Sequence, residues 1–105
     1  MDVGRIGSMV ERHGDRFLKK VFTEGEVAYA TAKKRMFESL AVRFAAKEAF
    51  MKAVGRRLPW RDIEVAMRGS TPSIRFGGKT YDGVSLSHER AYAVAVVHLS
   101  TRGPA

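Results

Sequence analysis

The stretch MFESLAVRFAAKEAFMKAV, residues 36–54, has the apolar periodicity of one long helix. Gly55 follows it as a C-terminal cap and Pro59 stands shortly beyond, so we expect the helix to end at about Val54. On a helical wheel, four apolar residues fall within roughly 60° of Phe37 and form the predicted core-facing stripe. They are Leu40, Ala41, Phe44 and Met51.

Glu48 lies in the middle of this stripe, at about 20° from Phe37. Lys52 follows one turn later, and Lys47 lies at the edge of the stripe. A carboxylate on an apolar face is costly to bury unless it meets a cation or a metal ion. Two interpretations follow. Glu48 and Lys52 form a structural pair at i, i+4, or Glu48 holds Mg²⁺ beside lysines that bind substrate phosphates.

The residues before this stretch also predict helices. Apolar residues recur at helical spacing over 6–17, although Gly14 is expected to end or bend this first helix. Thr23 and Glu26 form a capping-box pattern, which predicts a second helix over about 24–33.

The second half of the chain changes to the period of strands. Apolar residues alternate over 63–67, and 73–76 reads as the return strand, while 77–83 shows only turn signals. Residues 84–86 and 91–99 are strand-like, and the last run is apolar on both faces, so we expect a central, covered strand. Helices followed by strands predict an α+β fold with N-terminal helices packed on a small antiparallel sheet.

Length and composition narrow the possible functions. The 105 residues predict a single domain over 1–105. The absence of cysteine excludes disulfides, thiolate zinc sites and cysteine nucleophiles. Because no apolar run approaches the ~20 residues of a membrane span and no signal peptide is visible, we expect a cytoplasmic protein. The net charge of +8 predicts an anionic partner: nucleic acid, a phosphorylated small molecule or an acidic protein.

The first helix carries a basic stripe. Arg5, Arg12 and Arg16 fall within about 40° of one another on a helical wheel, and Met9 lies beside them. Aligned arginines most often form a solvated face. The neighbouring methionine also fits docking against an acidic, partly apolar helix, and the arginines fit a phosphate backbone.

Residues 85–90, SLSHER, display polar groups between two strand-like segments. Ser87, His88 and Glu89 cannot form a catalytic triad, because adjacent residues on a strand point to opposite faces. The sequence also lacks a Gly-x-Ser-x-Gly elbow, a Walker-type phosphate loop, a His-Glu-x-x-His helix and a dinucleotide fingerprint. A phosphate or hydroxyl contact is the more plausible role for His88.

The sequence resembles a known family through several motifs. Residues 43–53, RFAAKEAFMKA, resemble the signature helix of holo-(acyl-carrier-protein) synthase, the small phosphopantetheinyl transferase of bacteria. Further segments resemble this family in the same order along most of the chain. They are Arg5-Ile6, residues 15–18 (DRFL), Phe22-Thr23-x-x-Glu26, residues 60–65 (WRDIEV), residues 84–89 (VSLSHE) and residues 92–95 (YAVA).

The resemblance implies an activity and a set of partners. The family transfers the 4'-phosphopantetheine arm of coenzyme A to a serine of apo-acyl carrier protein, with Mg²⁺, in fatty acid biosynthesis. It implies a 4'-phosphopantetheinyl transferase-like fold, a homotrimer with active sites between subunits, and no nucleic-acid or membrane partner. The nucleophile then belongs to the carrier. Its proton acceptor, a water molecule at the metal or Glu48, stays open.

The resemblance also implies residue roles. Glu48 is expected to bind Mg²⁺ and, with Lys52, to act in catalysis. The residues expected to bind coenzyme A are Arg43, Lys47, Lys52, Ser87 and His88. The residues expected to dock the acyl carrier protein are Arg5, Met9, Arg12 and Arg16.

The sequence departs from the family pattern in two places. The family's first strand, Gly-x-Gly-x-Asp-Ile, carries a second metal ligand and would lie before Met1, and Asp2 matches a later acidic position. We therefore expect a chain truncated at its N-terminus relative to the family, with weak or no activity. Residues 77–83 replace a helix that the family usually has. A non-catalytic basic module that binds RNA or an acidic protein is the alternative function, and a structural remnant that oligomerises is a third.

Overall fold

The computed structural model describes residues 1–99. Helices form the first half of the chain. The predicted long helix is confirmed at both ends, Met36 and Val54. Gly14 has a φ of 51° and separates two helices, which confirms the break expected there. The helices are α1 (Val3–His13), α2 (Asp15–Val21), α3 (Glu24–Thr31) and α4 (Met36–Val54).

Side chains and a glycine cap these helices as their sequence predicts. The Thr23 hydroxyl accepts from the Glu26 amide, and the Glu26 carboxylate accepts from the Thr23 amide, which completes the capping box of α3. Gly55 has a φ of 87° and donates its amide to the Met51 carbonyl at 2.8 Å, which closes α4.

Five short strands follow a 3₁₀ turn at Trp60–Asp62. One sheet has the antiparallel order β1-β2-β3, and a separate antiparallel hairpin joins β4 to β5. The region 77–83, predicted to hold only turns, contains a strand, because Gly77 and Gly78 form a tight turn that returns the chain along β2. The strands are β1 (Glu64–Arg68), β2 (Thr71–Phe76), β3 (Lys79–Tyr81), β4 (Val84–His88) and β5 (Ala93–Val97).

The prediction that the last strand is central and covered is wrong. Within residues 1–99, β5 pairs with β4 on one side, and its first residue, Ala93, exchanges backbone hydrogen bonds with Met1 next to an isolated bridge between Asp2 and Tyr92. Val94 is 56% exposed and Val96 is 59% exposed. The apolar outer face of this strand therefore has no cover within the described chain.

Helix α4 is buried on two sides, and this changes which of its residues face inward. It packs against α1 and α3 on one side and against β1, β4 and β5 on the other. Its buried residues include Arg43, Ala46, Lys47 and Phe50 as well as predicted core residues, whereas Phe37 is partly exposed. A single stripe centred on Phe37 therefore places the core incorrectly. No helix among residues 1–99 is both long and apolar enough to cross a bilayer.

Candidate active site

A pocket of about 400 Å³ opens at the C-terminal end of α4. We call it the C-terminal pocket. Glu48 and Lys52 reach it from the last two turns of α4, and the loop after Gly55 closes it with Trp60. The Trp60 ring stacks on Phe44 with centroids 4.7 Å apart, so this wall is fixed against the helix. The lining residues are Glu48, Met51, Lys52, Gly55, Arg56, Arg57 and Trp60.

Glu48 is exposed at this pocket, so the expectation that its carboxylate points into the core is wrong. The physical reason is the rotation of α4 about its own axis, which centres the buried side of the helix nearer Lys47 than Phe37. Among the described residues, no ion pair within 4.0 Å involves Glu48 or Lys52. The structural Glu48–Lys52 salt bridge is therefore not formed, and both groups stay available to a ligand.

The residues around Glu48 fit only a metal site in which the substrate and water supply most of the ligands. Residues 1–99 contain no cluster of three or more acidic, histidine or cysteine side chains that could hold an ion without help. The Asp2 side chain accepts from the Gly4 amide as the N-cap of α1. A single exposed carboxylate suits Mg²⁺ when substrate phosphates and water complete the coordination. The residues present fit a metal that arrives with a phosphorylated substrate.

A second pocket, of about 710 Å³, lies beside the N-terminal half of α4. We call it the N-terminal pocket. Four cationic side chains border it, and β4 supplies the opposite wall through Val84, Ser85, Leu86 and His88. Its polar and aromatic lining includes Tyr29, Lys33, Lys34, Arg35, Arg43 and His88.

Arg43 is a buried cation with an incomplete set of partners. It is 3% exposed, its Nη1 donates to the Ser39 carbonyl at 3.0 Å and to the Ser39 hydroxyl at 2.7 Å, and its guanidinium covers the Tyr29 ring. Its Nε has no hydrogen-bond partner among the described residues. Burial lowers the pKa of this guanidinium, and Glu26 partly offsets the shift. Arg43 lines the N-terminal pocket, and a guanidinium at a pocket wall is suited to an anionic ligand.

His88 is oriented by a buried carboxylate. Its Nδ1 lies 2.9 Å from Oε1 of Glu38, which is buried in the first turn of α4. Because a carboxylate can only accept, Nδ1 carries the proton and Nε2 is left as the free ring nitrogen. The Arg35 guanidinium lies 3.6 Å from the other Glu38 oxygen. Glu38 thus joins His88 to the basic segment that borders the N-terminal pocket.

Some of the predicted coenzyme contacts meet here and others do not. Arg43 and His88 line the N-terminal pocket, whereas Ser87 is exposed and does not line it, and Ser85 does. Sequence reasoning missed the basic run 33–35. The position of this run could have revealed it. Cations just before a helix N-terminus interact unfavourably with the helix dipole, which suggests a role other than helix stability. Glu38 lies 50 residues from His88 in sequence, and no local pattern links them.

Lys47 does not reach either pocket, so the expectation that it binds coenzyme A is corrected. It is fully buried, and its ammonium contacts three acceptors: the Val21 carbonyl at 2.6 Å, the Trp60 carbonyl at 3.0 Å and the Glu26 carboxylate at 2.6 Å. Glu26 also accepts from the Val65 amide at 2.7 Å. Burial lowers the pKa of Lys47, partly offset by Glu26. Lys47 and Glu26 together tie α4 to α2, α3, the 3₁₀ turn and β1.

The predicted carrier-docking residues divide between two helices. Arg5 and Arg12 are exposed on α1 and Met9 is half-buried between them, as the helical wheel predicts. Arg16 is also exposed, but it lies on α2, beyond the break at Gly14. The basic surface is therefore larger than a single-helix stripe.

The sequence matches the 4'-phosphopantetheinyl transferase superfamily over residues 1–97. A holo-(acyl-carrier-protein) synthase of Thermus thermophilus is 41% identical over 111 residues, which cover 97% of this chain and 89% of the relative. The chain belongs to the holo-(acyl-carrier-protein) synthase family. A second member, from Carboxydothermus hydrogenoformans, is 42% identical over 109 residues, with 91% and 89% covered.

Solved members of the family have the same fold. The crystal structure of Helicobacter pylori holo-(acyl-carrier-protein) synthase in complex with coenzyme A has a TM-score of 0.77 and 26% identity, covering 93% of this chain and 95% of that one. The Neisseria meningitidis enzyme has a TM-score of 0.74 and 26% identity, covering 90% and 91%. The predicted family, α+β fold and enzyme class, a phosphopantetheinyl transferase, are confirmed.

Proposed function

We propose that this holo-(acyl-carrier-protein) synthase family member transfers 4'-phosphopantetheine from coenzyme A to a serine of apo-acyl carrier protein. Mg²⁺ is its cofactor, and fatty acid biosynthesis in the cytoplasm is its setting. The observation that carries the proposal is Glu48, exposed and without an ion-pair partner among the described residues, in a pocket with three cations. The coenzyme A complex of the Helicobacter pylori relative supports the same substrate here.

Cationic groups in both pockets suit the charges of coenzyme A. Lys52 borders the C-terminal pocket and is assigned to the pyrophosphate, next to Glu48. Arg43 and His88, joined by Lys34 and Arg35, border the N-terminal pocket and are assigned to the nucleotide. Arginine binds phosphate through a planar fork of N–H donors, which is the chemistry that this assignment gives to Arg43 at the pocket wall.

The reaction is a phosphoryl transfer in which the protein positions groups and offsets charge. The carrier's serine oxygen attacks the phosphorus next to pantetheine, and the bond from that phosphorus to the bridging oxygen breaks. The electron pair of that bond leaves with adenosine 3',5'-bisphosphate, and the serine proton passes to a base. Bound Mg²⁺ would supply positive charge to the pyrophosphate oxygens. Glu48 is the residue that would hold it, and Lys52 adds a second positive charge.

The carrier docks, in this proposal, on the exposed basic surface of α1 and α2. Arg5, Arg12 and Arg16 supply positive charge, and Met9 supplies an adaptable apolar contact. Acyl carrier protein is the partner that the family's name implies, and an acidic partner suits the net charge of +8. Electrostatic steering of this kind makes the association rate fall with rising salt.

A homotrimer is part of the proposal. Tyr92, Val94 and Val96 are each more than half exposed along one edge of the molecule, and apolar surface of this kind marks interfaces. The two pockets share no lining residue, so a coenzyme A that meets both would lie between two copies. A second copy that covers β5 would give these valines the burial that their sequence pattern favours.

Labelling of apo-carrier with coenzyme A tests the function, followed by intact mass spectrometry. We expect weak, Mg²⁺-dependent labelling that EDTA stops and added Mg²⁺ restores. Glu48→Gln should slow labelling by about 100-fold, the range seen for loss of one charge-stabilising group. It should also remove the increase in coenzyme A affinity that Mg²⁺ gives in calorimetry. Asp82→Asn, which removes an exposed carboxylate outside both pockets, is the matched control.

Two results would contradict the proposal. Labelling by Glu48→Gln at the rate of Asp82→Asn would remove Glu48 from the mechanism. A protein that neither labels apo-carrier nor binds coenzyme A with Mg²⁺, but shifts RNA in a salt-dependent manner, would favour a non-catalytic binding module.

Gel filtration with light scattering tests the trimer, and Val94→Asp with Val96→Asp should yield monomers if β5 forms the interface.

A further inference from the structure

Two consecutive arginines, Arg56 and Arg57, border the C-terminal pocket directly after α4. Their loop is held at both ends. The Gly55 and Arg56 amides both donate to the Met51 carbonyl, at 2.8 Å and 3.2 Å, and Leu58 is buried in the core next to Pro59. The arginines therefore line the pocket, together with Glu48 and Trp60, from an anchored backbone.

The charges around this pocket do not balance. Lys52, Arg56 and Arg57 carry three positive charges and Glu48 one negative charge, and among residues 1–99 none of the four forms an ion pair within 4.0 Å. The helix dipole of α4 favours cations here, but a single cation in the last turn, Lys52, already meets that need. Two further arginines on an anchored loop are suited to an anion with more than one charged oxygen.

We propose that Arg56 and Arg57 bind the 5'-phosphate of the departing adenosine 3',5'-bisphosphate, an inference that rests on the proposed function. When the phosphorus–oxygen bond to this bridging oxygen breaks, the electron pair stays on that oxygen. The 5'-phosphate changes from a bridged group with one charge to a terminal group with up to two. Arginines aimed at this oxygen gain interaction as the bond breaks, so they stabilise the transition state more than bound coenzyme A.

This role predicts a particular division between binding and rate. Removing the arginines should slow turnover and weaken the product more than it weakens coenzyme A. A purely structural role as helix-end cations predicts another pattern, in which stability falls and both affinities change together. Replacement by lysine separates the two roles, because lysine keeps the charge at the helix end and loses the planar fork.

The experiment compares Arg56→Ala/Arg57→Ala, Arg56→Lys/Arg57→Lys and the control Arg68→Ala, an exposed arginine on β1 outside both pockets. Calorimetry measures the affinity of each protein for coenzyme A and for adenosine 3',5'-bisphosphate. Labelling assays give the turnover rate, and thermal unfolding reports stability. For the alanine pair we expect product affinity to fall at least about tenfold, turnover to slow by about 10- to 100-fold and coenzyme A affinity to change by no more than about threefold.

For the lysine pair we expect unchanged thermal unfolding with an intermediate loss of product affinity. If the alanine pair is too unstable to measure, the lysine pair decides. Product affinity within twofold of Arg68→Ala overturns the inference, as does an equal loss of affinity for coenzyme A and product. Failure of the wild-type chain to label any apo-carrier would overturn the proposed function instead, because calorimetry with the bisphosphate does not depend on turnover.

Discussion

Lys47 and Glu48 are neighbours in sequence, yet their charged groups have opposite surroundings. The Lys47 ammonium is fully buried and contacts three acceptors from three other segments. The Glu48 carboxylate is exposed at a pocket and has no ion-pair partner among the described residues. A rotation of about 100° per residue separates a core position from a surface position on α4.

The comparison shows what decides the role of a charge on a helix that is buried on two sides. Lys47 and Glu26 satisfy each other and four backbone groups, those of Val21, Thr23, Trp60 and Val65. Such a network joins segments, and removing one of its two charges destabilises the fold more than removing both. Glu48 lacks a protein partner, so its carboxylate is available to a ligand. Whether a charged residue of α4 has a structural or a functional role is therefore decided by its partners on other elements and not by the pattern of the helix.

The largest effect should come from Lys47→Met. The substitution leaves the buried Glu26 carboxylate without its cation, and breaking one side of a buried pair typically costs 3–5 kcal/mol of unfolding free energy, so we expect about 4 kcal/mol. Urea unfolding measures it, and Lys52→Met, at an exposed position on the same helix, should change stability by less than about 0.5 kcal/mol. Equal losses for the two variants would show that burial does not distinguish these lysines.

The second effect should be a partial recovery in Glu26→Gln/Lys47→Met. Removing both charges abolishes the uncompensated carboxylate, and the amide oxygen of glutamine can still accept from the Thr23 or Val65 amide. We expect this double variant to be about 2 kcal/mol more stable than Lys47→Met alone in the same urea series. A double variant that is less stable than the single one would mean that Glu26 acts chiefly through its backbone bonds.

Much of the fold could be predicted from local sequence, whereas the inward face of α4 could not. The cap at Gly55 and the capping box at Thr23 act within a few residues, so the end of α4 and the start of α3 follow from the sequence alone. The burial of Lys47 depends on Glu26 and Trp60, 21 residues before and 13 after it, which no helical wheel includes. The strand at 79–81 was missed because its pairing with β2 is weakly encoded in three residues.

The candidate site divides in the same way. Glu48 and Lys52 lie one helical turn apart, so their shared pocket follows once α4 is predicted. The link between His88 and Glu38 spans 50 residues and needs the tertiary fold. The exposure of Val94 and Val96 on an apolar strand also could not be foreseen, because an apolar pattern records burial without showing whether the cover lies in the same chain.

The third effect is a pH dependence that only the buried residue should show. Burial lowers the pKa of Lys47 in the folded state, while the unfolded chain keeps the ordinary value of about 10.4. Between these two values the unfolded state binds more protons, so stability rises with pH there, by at most about 1.4 kcal/mol per unit. The contribution is complete above the unfolded pKa and is lost as pH falls through the folded one.

Urea midpoints measured from pH 8 to pH 10.5 check this prediction. The difference between wild type and Glu26→Gln/Lys47→Met should grow in favour of wild type as the pH rises, because the variant lacks this titrating group. Curves that stay parallel over the whole range would show that Lys47 keeps its proton equally well in both states, and that Glu26 fully compensates for burial.

The smallest effect on stability should belong to Glu48→Gln, the variant with the largest expected effect on labelling. Since the carboxylate is exposed and forms no ion pair among the described residues, its loss should change the unfolding free energy by less than about 0.5 kcal/mol. Urea unfolding without ligand gives this value, and the same series with coenzyme A and Mg²⁺ should stabilise wild type more than the variant. A loss above about 1 kcal/mol without ligand would return Glu48 to the structural interpretation, in which it pairs with Lys52.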